Sequence, residues 1–368
     1  GLDGPEHLET INAVSSLGRL YRDMGDYEQA EALCLRAVEA SKQLLGLEHP
    51  STLIIAGNLG LLYRDMGDYE RAEAHCLQVL EASERLLGLE HPITLTTVGN
   101  IGLLYCDKGD YEKAEAYNTR CLEASKRLLG PEHPATLKTL GNLAGLHQDK
   151  GDYTQSEIYY LRCLRAQEQL LGQEHPDTLT TINNLAGLFM DNGDYEQAET
   201  YYARCLEARE WLLGPDHPDT LITVGNLGNL YLAKGVYQQA ERLFKKALEA
   251  KERLLNSEHP STLSTINNLG ALFRAKGDFC QAEAYYMHCL ELRERVLGLD
   301  HPDTLISINN LAVLYCDHGD YKQSESLWAR CREAQERLLG PEHPSTLITI
   351  GNLAHCLSAL NRFEEAIE

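Results

Sequence analysis

Apolar residues recur at helical spacing along this chain, in pairs of stripes that a short polar break separates. Within residues 176–217 the first stripe contains Leu179, Ile182, Leu185, Ala186 and Phe189. The sequence NGDY at 192–195 interrupts it with a glycine suited to the left-handed cap of one helix and an aspartate suited to the N-cap of the next. A second stripe runs to Leu213, where a Gly-Pro pair ends it. The pattern predicts a helical hairpin.

The hairpin recurs with a strict period. The loop LLGLEHPSTL at residues 44–53 returns with small changes, and every interval between its His-Pro pairs is 42 residues. The pairs begin at His49, His91, His133, His175, His217, His259, His301 and His343. Such a period is typical of a solenoid, in which each unit buries its apolar face against its neighbours. We therefore expect residues 1–368 to form a single solenoid of about eight full repeats and a truncated ninth, as a piece of a longer protein.

The hairpin resembles the tetratricopeptide repeat, a helix-turn-helix unit that carries L-G-x-x-Y followed by a small residue. The matching residues in one copy are Leu59-Gly60-x-x-Tyr63 and then Ala72. The 42-residue length and the segment YRDMGDYEQAE at 21–31 are similar to the kinesin light chain subclass of these repeats. The resemblance implies an all-α, right-handed superhelical solenoid, with the first helices of successive hairpins lining a concave groove.

One polar column falls on these first helices. It consists of Asn58, Asn100, Asn142, Asn184, Asn226, Asn268, Asn310 and Asn352. Asparagine is a mediocre helix former, so its repeated use inside a helix needs a reason. Its amide can donate and accept together, which matches the backbone of an extended peptide. The column therefore predicts a peptide-binding groove, although bonds to the neighbouring hairpin are an alternative use of the same amides.

Two adjoining positions extend the candidate peptide site. The residue before each column member is Asn183, Asn267 or Asn309 in three repeats and glycine in the others, at Gly57, Gly99, Gly141, Gly225 and Gly351. Because a mid-helix glycine costs about 1 kcal/mol relative to alanine, we expect a ligand or the next hairpin to approach the backbone there. Two turns further on lie Arg22, Arg64 and Arg274, which suit acidic ligand residues or pair with neighbouring aspartates.

The charge balance excludes some partners. Lys plus Arg number 33 against 55 for Asp plus Glu, a net charge of −22, which disfavours nucleic acid and anionic lipid surfaces. No apolar run approaches the roughly 18 residues of a membrane span, and no signal peptide is recognisable at the start. We expect a cytoplasmic protein whose partner is a protein or peptide. The sequence leaves the oligomeric state open.

Cysteine and histidine follow the repeat rather than a reactive pattern. Five of the 11 cysteines share one repeat position, at Cys121, Cys163, Cys205, Cys289 and Cys331, so we expect reduced, buried thiols. Each hairpin loop supplies one histidine without a second ligand nearby, which favours helix capping over a metal site. No phosphate-binding loop, nucleophile elbow or zincin motif is present, so we expect no catalytic residues, metal or cofactor.

Three functions fit these observations. The favoured one is an interaction module that binds an extended segment through the asparagine ladder. The second is the sensor or regulatory array of a multidomain signalling ATPase or caspase-like protease, a setting in which similar 42-residue arrays occur. The third is a passive scaffold.

Overall fold

The computed structural model describes residues 8–362, which form 17 α-helices and no strand. They divide into two compact units, Gly1–Gly193 and Asp194–Glu368, and each is described by itself. The first unit holds α1 (Leu8–Asp23), α2 (Tyr27–Leu45), α3 (Pro50–Asp65), α4 (Tyr69–Leu87), α5 (Pro92–Asp107), α6 (Tyr111–Leu129), α7 (Pro134–Asp149), α8 (Tyr153–Leu170) and α9 (Pro176–Asp191). The second holds α10 (Tyr195–Leu213), α11 (Pro218–Ala233), α12 (Tyr237–Leu254), α13 (Pro260–Ala275), α14 (Phe279–Val296), α15 (Pro302–His318), α16 (Tyr321–Leu338) and α17 (Pro344–Ala359).

The predicted all-α repeat of helical hairpins is confirmed within each unit. Odd-numbered helices from α3 onward begin at the proline of a His-Pro pair, and they are called first helices here. Within a unit, first helices pack against their own second helix and against the second helix of the preceding hairpin, as α5 does with α6 and α4. The expectation of one solenoid over residues 1–368 stays a prediction. Between residues 8 and 362, no helix combines the length and apolar character needed to cross a bilayer.

The repeated loop fixes the start of each first helix. At α9, the Nδ1 atom of His175 accepts a hydrogen bond from the backbone N–H of Asp177 at 3.2 Å. The hydroxyl of Thr178 donates to the backbone carbonyl of Gly172 at 2.9 Å, and Gly172 adopts a φ of 96°. Because the proline between histidine and threonine has no N–H to satisfy, it suits the first turn. The loop histidines therefore cap helices, as the sequence predicts.

The turn inside each hairpin uses the expected signals. In the α7–α8 turn Gly151 has a φ of 76°, and Asp152 accepts a hydrogen bond from the backbone N–H of Gln155 at 3.1 Å. The helix α12 departs from this rule, because Val236 occupies its N-cap and provides no side-chain hydrogen bond. The first turn of α12 therefore lacks the side-chain cap of the other second helices, and the backbone N–H of Gln239 donates instead to the backbone carbonyl of Val236 at 3.1 Å.

Small residues let the two helices of a hairpin approach closely. A Cβ atom added at Gly60 would lie 2.6 Å from the Sγ atom of Cys76, and one added at Gly270 would lie 2.6 Å from the ring of Tyr286. The glycine of the L-G-x-x-Y motif thus serves close packing. The shared cysteine position is also buried as predicted, and the thiol of Cys163 donates to the carbonyl of Leu137 at 3.4 Å.

The missing cap of α12 gives a stability prediction. We expect Val236→Asp to raise the free energy of unfolding by about 1 kcal/mol, because the carboxylate would supply the side-chain cap and a negative charge at the helix N-terminus. Val236 is 36% exposed, so the substitution buries no charge. The thermal unfolding midpoint, followed by circular dichroism, measures the change. Val236→Ala is the control, since it removes the same apolar group without supplying a cap, and an equal gain in both variants would contradict the capping account.

Candidate functional site

The predicted asparagine column lies on an accessible face of the first helices. Asn184 is exposed and the other seven members are half-buried. Asn100 and Asn142 border a pocket of about 430 Å³ between α5 and α7. Asn142 and Asn184 border a second pocket, of about 500 Å³, between α7 and α9. The surface of the first helices that carries this column is called the Asn face below.

Most amides of the column are not used within the protein. Over residues 8–362, no side-chain hydrogen bond to another protein group is made by Asn58, Asn100, Asn142, Asn184, Asn268 or Asn352. Asn310 differs, because its Nδ2 donates to the Oδ1 of Asn267 on the preceding first helix at 3.0 Å. Bonding between hairpins, the alternative use of these amides, therefore occurs at this position but does not account for the column.

The position before each column member separates into two kinds. A Cβ atom added at Gly57 or Gly141 would meet no protein atom within 4 Å, and one at Gly99 would meet only Cys121, at 3.9 Å. The next hairpin therefore does not approach these glycines, which leaves their backbone open to a ligand. The asparagines at this position serve packing instead. Asn267 accepts from Asn310, Asn309 accepts from the Nε1 of Trp328 at 2.9 Å, and Asn183 is buried.

The three predicted arginines form ion pairs with the aspartate of the following first helix. The Nε atom of each lies near an aspartate oxygen, at 3.5 Å for Arg22 and Asp65, 3.3 Å for Arg64 and Asp107, and 3.8 Å for Arg274 and Asp317. The intramolecular pairing that the sequence left open is thus present. An acidic ligand would have to compete with these aspartates, so contact between ligand and arginine stays a prediction.

The same contact recurs where arginine is absent. The thiol of Cys106 donates to Asp149 at 3.1 Å, and the amide of Gln148 donates to Asp191 at 2.6 Å. Burial raises the pKa of the Asp149 carboxyl, the Cys106 thiol counteracts this shift, and the negative charge of Asp191 adds to it. This row of contacts ties the C-terminal ends of consecutive first helices together, beside the Asn face.

Comparison with known proteins agrees with this architecture. The tetratricopeptide repeat model matches residues 9–85, 52–126, 94–169, 137–189, 177–253, 224–294, 261–327 and 306–368, which together span nearly the whole chain. The chain belongs to the tetratricopeptide repeat family. No match to a curated protein is found.

Solved tetratricopeptide repeat structures resemble the chain. BtubC (BKLC) from P. vanneervenii is 26% identical over 62% of this chain and 92% of its own, with a TM-score of 0.50. Nearly identical TPR-like repeats of a putative kinesin light chain from Podosopora anserina are 26% identical over 56% and 98%, with a TM-score of 0.45. A Rap protein in complex with Competence and Sporulation Factor shares the fold at a TM-score of 0.60 and 13% identity, over 90% and 99%. The predicted tetratricopeptide repeat is confirmed by the family match.

Sequence reasoning missed a second polar column, on the second helices of these tetratricopeptide repeats. It consists of Ser41, Ser83, Ser125, Gln167, Arg209, Lys251, Arg293 and Gln335, all of them buried. We call it the floor column, because Ser125 and Gln167 line the bottoms of the two Asn-face pockets. Aligning the repeats reveals the change from serine to basic residues, but only the structure shows that such residues are buried.

Within residues 8–362 the ammonium group of Lys251 has no acidic partner. Its Nζ donates to the carbonyl of Ser261 at 3.1 Å and to the hydroxyl of Thr265 at 2.9 Å, and the residue is 6% exposed. Burial therefore lowers the pKa of Lys251 to about 8. In the unfolded chain the pKa of a lysine is about 10.4.

This shift gives a pH dependence of stability. Between about pH 8 and pH 10.4 the unfolded chain binds more protons at Lys251 than the folded chain, so the free energy of unfolding rises with pH. We expect the wild type to gain stability over this range, by no more than about 3 kcal/mol, relative to Lys251→Arg. Arginine occupies this column at Arg209 and Arg293 and stays charged. Thermal midpoints of both proteins at pH 7 and pH 9.5 test this, and parallel changes would contradict it.

Proposed function

We propose that this tetratricopeptide array is a protein-interaction module that binds an extended segment of a partner along the Asn face. The observation that carries the proposal is that six of the eight column amides make no side-chain hydrogen bond within residues 8–362, beside glycines such as Gly57 and Gly141 that no described protein atom covers. The module needs no metal, cofactor or catalytic residue for this task. We propose a cytoplasmic setting.

Asparagine at these helix positions lowers helix stability, and a ligand contact would explain why it is present. Asparagine in a helix interior is less favourable than alanine by up to about 0.7 kcal/mol. A structural role would offset that cost through hydrogen bonds to neighbouring helices, as Asn310 does with Asn267. Asn100 and Asn142 make no such bond. Their donor and acceptor atoms remain available to the N–H and C=O groups of an extended backbone.

Backbone recognition alone gives weak binding. Each amide contributes a net of about 0.5 to 1.5 kcal/mol, so four of them give roughly 2 to 6 kcal/mol. Micromolar affinity requires about 8 kcal/mol, and ordering a flexible segment costs part of the gain. Apolar contacts must supply the remainder. One turn before the column, Ile54, Ile222 and Ile306 are 51%, 45% and 50% exposed, and they offer such contacts.

The net charge bears on the choice of partner. An excess of 22 negative charges repels phosphate backbones and anionic lipid headgroups. Lys138, which borders both Asn-face pockets, forms no ion pair within residues 8–362. A protein segment that carries a carboxylate near this lysine therefore suits the face better than a nucleic acid or a membrane surface does.

The proposal is tested with a peptide selected on the whole chain from a random dodecapeptide phage library and then labelled with fluorescein. We expect Asn100→Ala combined with Asn142→Ala to weaken its binding by about 1 to 3 kcal/mol, or about fivefold to a hundredfold in Kd. The same variant should keep or raise the thermal midpoint, because alanine is the better helix former. Fluorescence polarisation and circular dichroism measure the two effects.

Gln78→Ala combined with Gln169→Ala is the matched control. These glutamines are exposed on second helices, so the control also removes two amides but leaves the Asn face intact. We expect the control to bind the peptide as the wild type does. Equal affinity in the Asn variant and the wild type would remove the Asn face as the binding site and leave the scaffold interpretation.

A further inference from the structure

The floor column changes character along the chain. It is Ser41, Ser83 and Ser125 in the first three hairpins, whereas Arg209, Lys251 and Arg293 occupy it in the second unit. All six residues are buried. A short hydroxyl and a long cation at equivalent positions must leave different amounts of space above the second helix.

In the second unit the long side chains fill that space. Arg293, on α14, donates from Nη1 to the carbonyl of Asp303 at 2.7 Å and to the hydroxyl of Ser307 at 2.8 Å, both on α15. Its Nη2 lies 3.3 Å from the hydroxyl of Ser264, on α13. The arginine therefore bridges two consecutive first helices. Lys251 makes the equivalent bonds from α12 to Ser261 and Thr265 on α13.

In the third hairpin the equivalent space is open. Ser125 replaces the cation, and the pocket of about 430 Å³ lies between α5 and α7 above it. Its walls are mainly aliphatic, with Leu95 and Leu103 from α5 and Leu128 and Leu129 from α6. The volume falls in the range of about 300 to 1,000 Å³ that is typical of ligand pockets. Asn100 and Asn142 lie at the pocket on either side, on α5 and α7.

We infer that the pocket over Ser125 receives a bulky apolar side chain of the guest segment, and that a long cation at this floor position, as at Arg293, closes the pocket. The inference rests on the proposed function, because the guest backbone bound by Asn100 and Asn142 would carry the side chain to the pocket. Glu90 also lines the pocket but pairs with Arg127, whereas Lys138 forms no ion pair within residues 8–362, so the pocket complements a guest that is neutral or acidic rather than basic. Ser125 is thus a specificity-determining residue, and the arginines of the second unit exclude such a side chain.

The neighbouring pocket over Gln167 has a more polar lining than the pocket over Ser125. Lys138, Asp177 and Thr180 line it in addition to Gln167. A guest that inserts an apolar side chain over Ser125 would therefore present a polar one to the next hairpin. The order of side chains in the guest follows from the order of floor residues in the chain.

The test fills the pocket with side chains that the fold accommodates. Ser125→Arg introduces the residue found at 209 and 293, and its acceptors exist, because Ala135 and Thr139 occupy the positions equivalent to Asp303 and Ser307. Ser125→Met fills the same space without a charge. Ser125→Ala leaves the pocket open and is the control. Far-UV circular dichroism checks that helicity is retained, and fluorescence polarisation with the selected fluorescein-labelled dodecapeptide measures Kd.

We expect both filling variants to weaken peptide binding at least tenfold and Ser125→Ala to bind as the wild type does. Replacing the apolar anchor of the peptide by alanine should cause a similar loss with the wild type and little further loss with Ser125→Met. Wild-type affinity in both filling variants, with weaker binding by the Asn100→Ala, Asn142→Ala variant, would overturn the pocket and leave the proposed function intact. Loss of affinity in none of these variants would overturn both.

Discussion

The architecture depends on the hydrogen bonds that the loop before each first helix makes to itself and to the first turn of that helix. A histidine accepts from the first turn, a proline needs no partner for its nitrogen, and in seven loops a threonine hydroxyl donates to the backbone carbonyl of the residue at the glycine position, as Thr178 does with Gly172. Even where Asn256 replaces that glycine, the residue keeps a φ of 91° and Thr262 still finds the carbonyl. Because the loop satisfies itself, the first helix is held at its N-terminus without help from the side chains midway along it. Asn100 and Asn142, in those middle turns, make no side-chain hydrogen bond within residues 8–362 and are available to a ligand.

Some polar side chains along the array bond to neighbouring helices, and others stay accessible to a partner. Neighbouring positions differ in this respect. Asn267 and Asn309 bond to other residues, whereas Asn100 and Asn142, one position further along, do not. The floor column divides in the same way. Arg293 closes the space between two first helices in the second unit, and Ser125 leaves it open in the first. Repeats with nearly identical loops can therefore differ in whether the space between their first helices is filled or open.

Local signals in the sequence predict the hairpins, their caps and the repeat family. Gly-Asp turns, His-Pro starts and the 42-residue interval act over a few residues or recur many times, so a single sequence reveals them. The asparagine column was also recognisable, because an unfavourable helix residue repeats there. Contacts between hairpins were not predictable in this way. Whether Arg64 meets a ligand or Asp107, and whether Lys251 is buried, depends on how the side chain reaches a neighbouring helix, which the pattern along one helix does not encode.

Direct observation of the amides tests the central claim. In the whole chain labelled with ¹⁵N at asparagine, nuclear magnetic resonance reports each side-chain amide during titration with the selected dodecapeptide. The account predicts that the Asn100 and Asn142 amide signals shift and that their protons exchange more slowly with solvent, while the signal of Asn256, in a loop away from this face, stays in place. Saturating binding of the peptide with unchanged signals at Asn100 and Asn142 would contradict it.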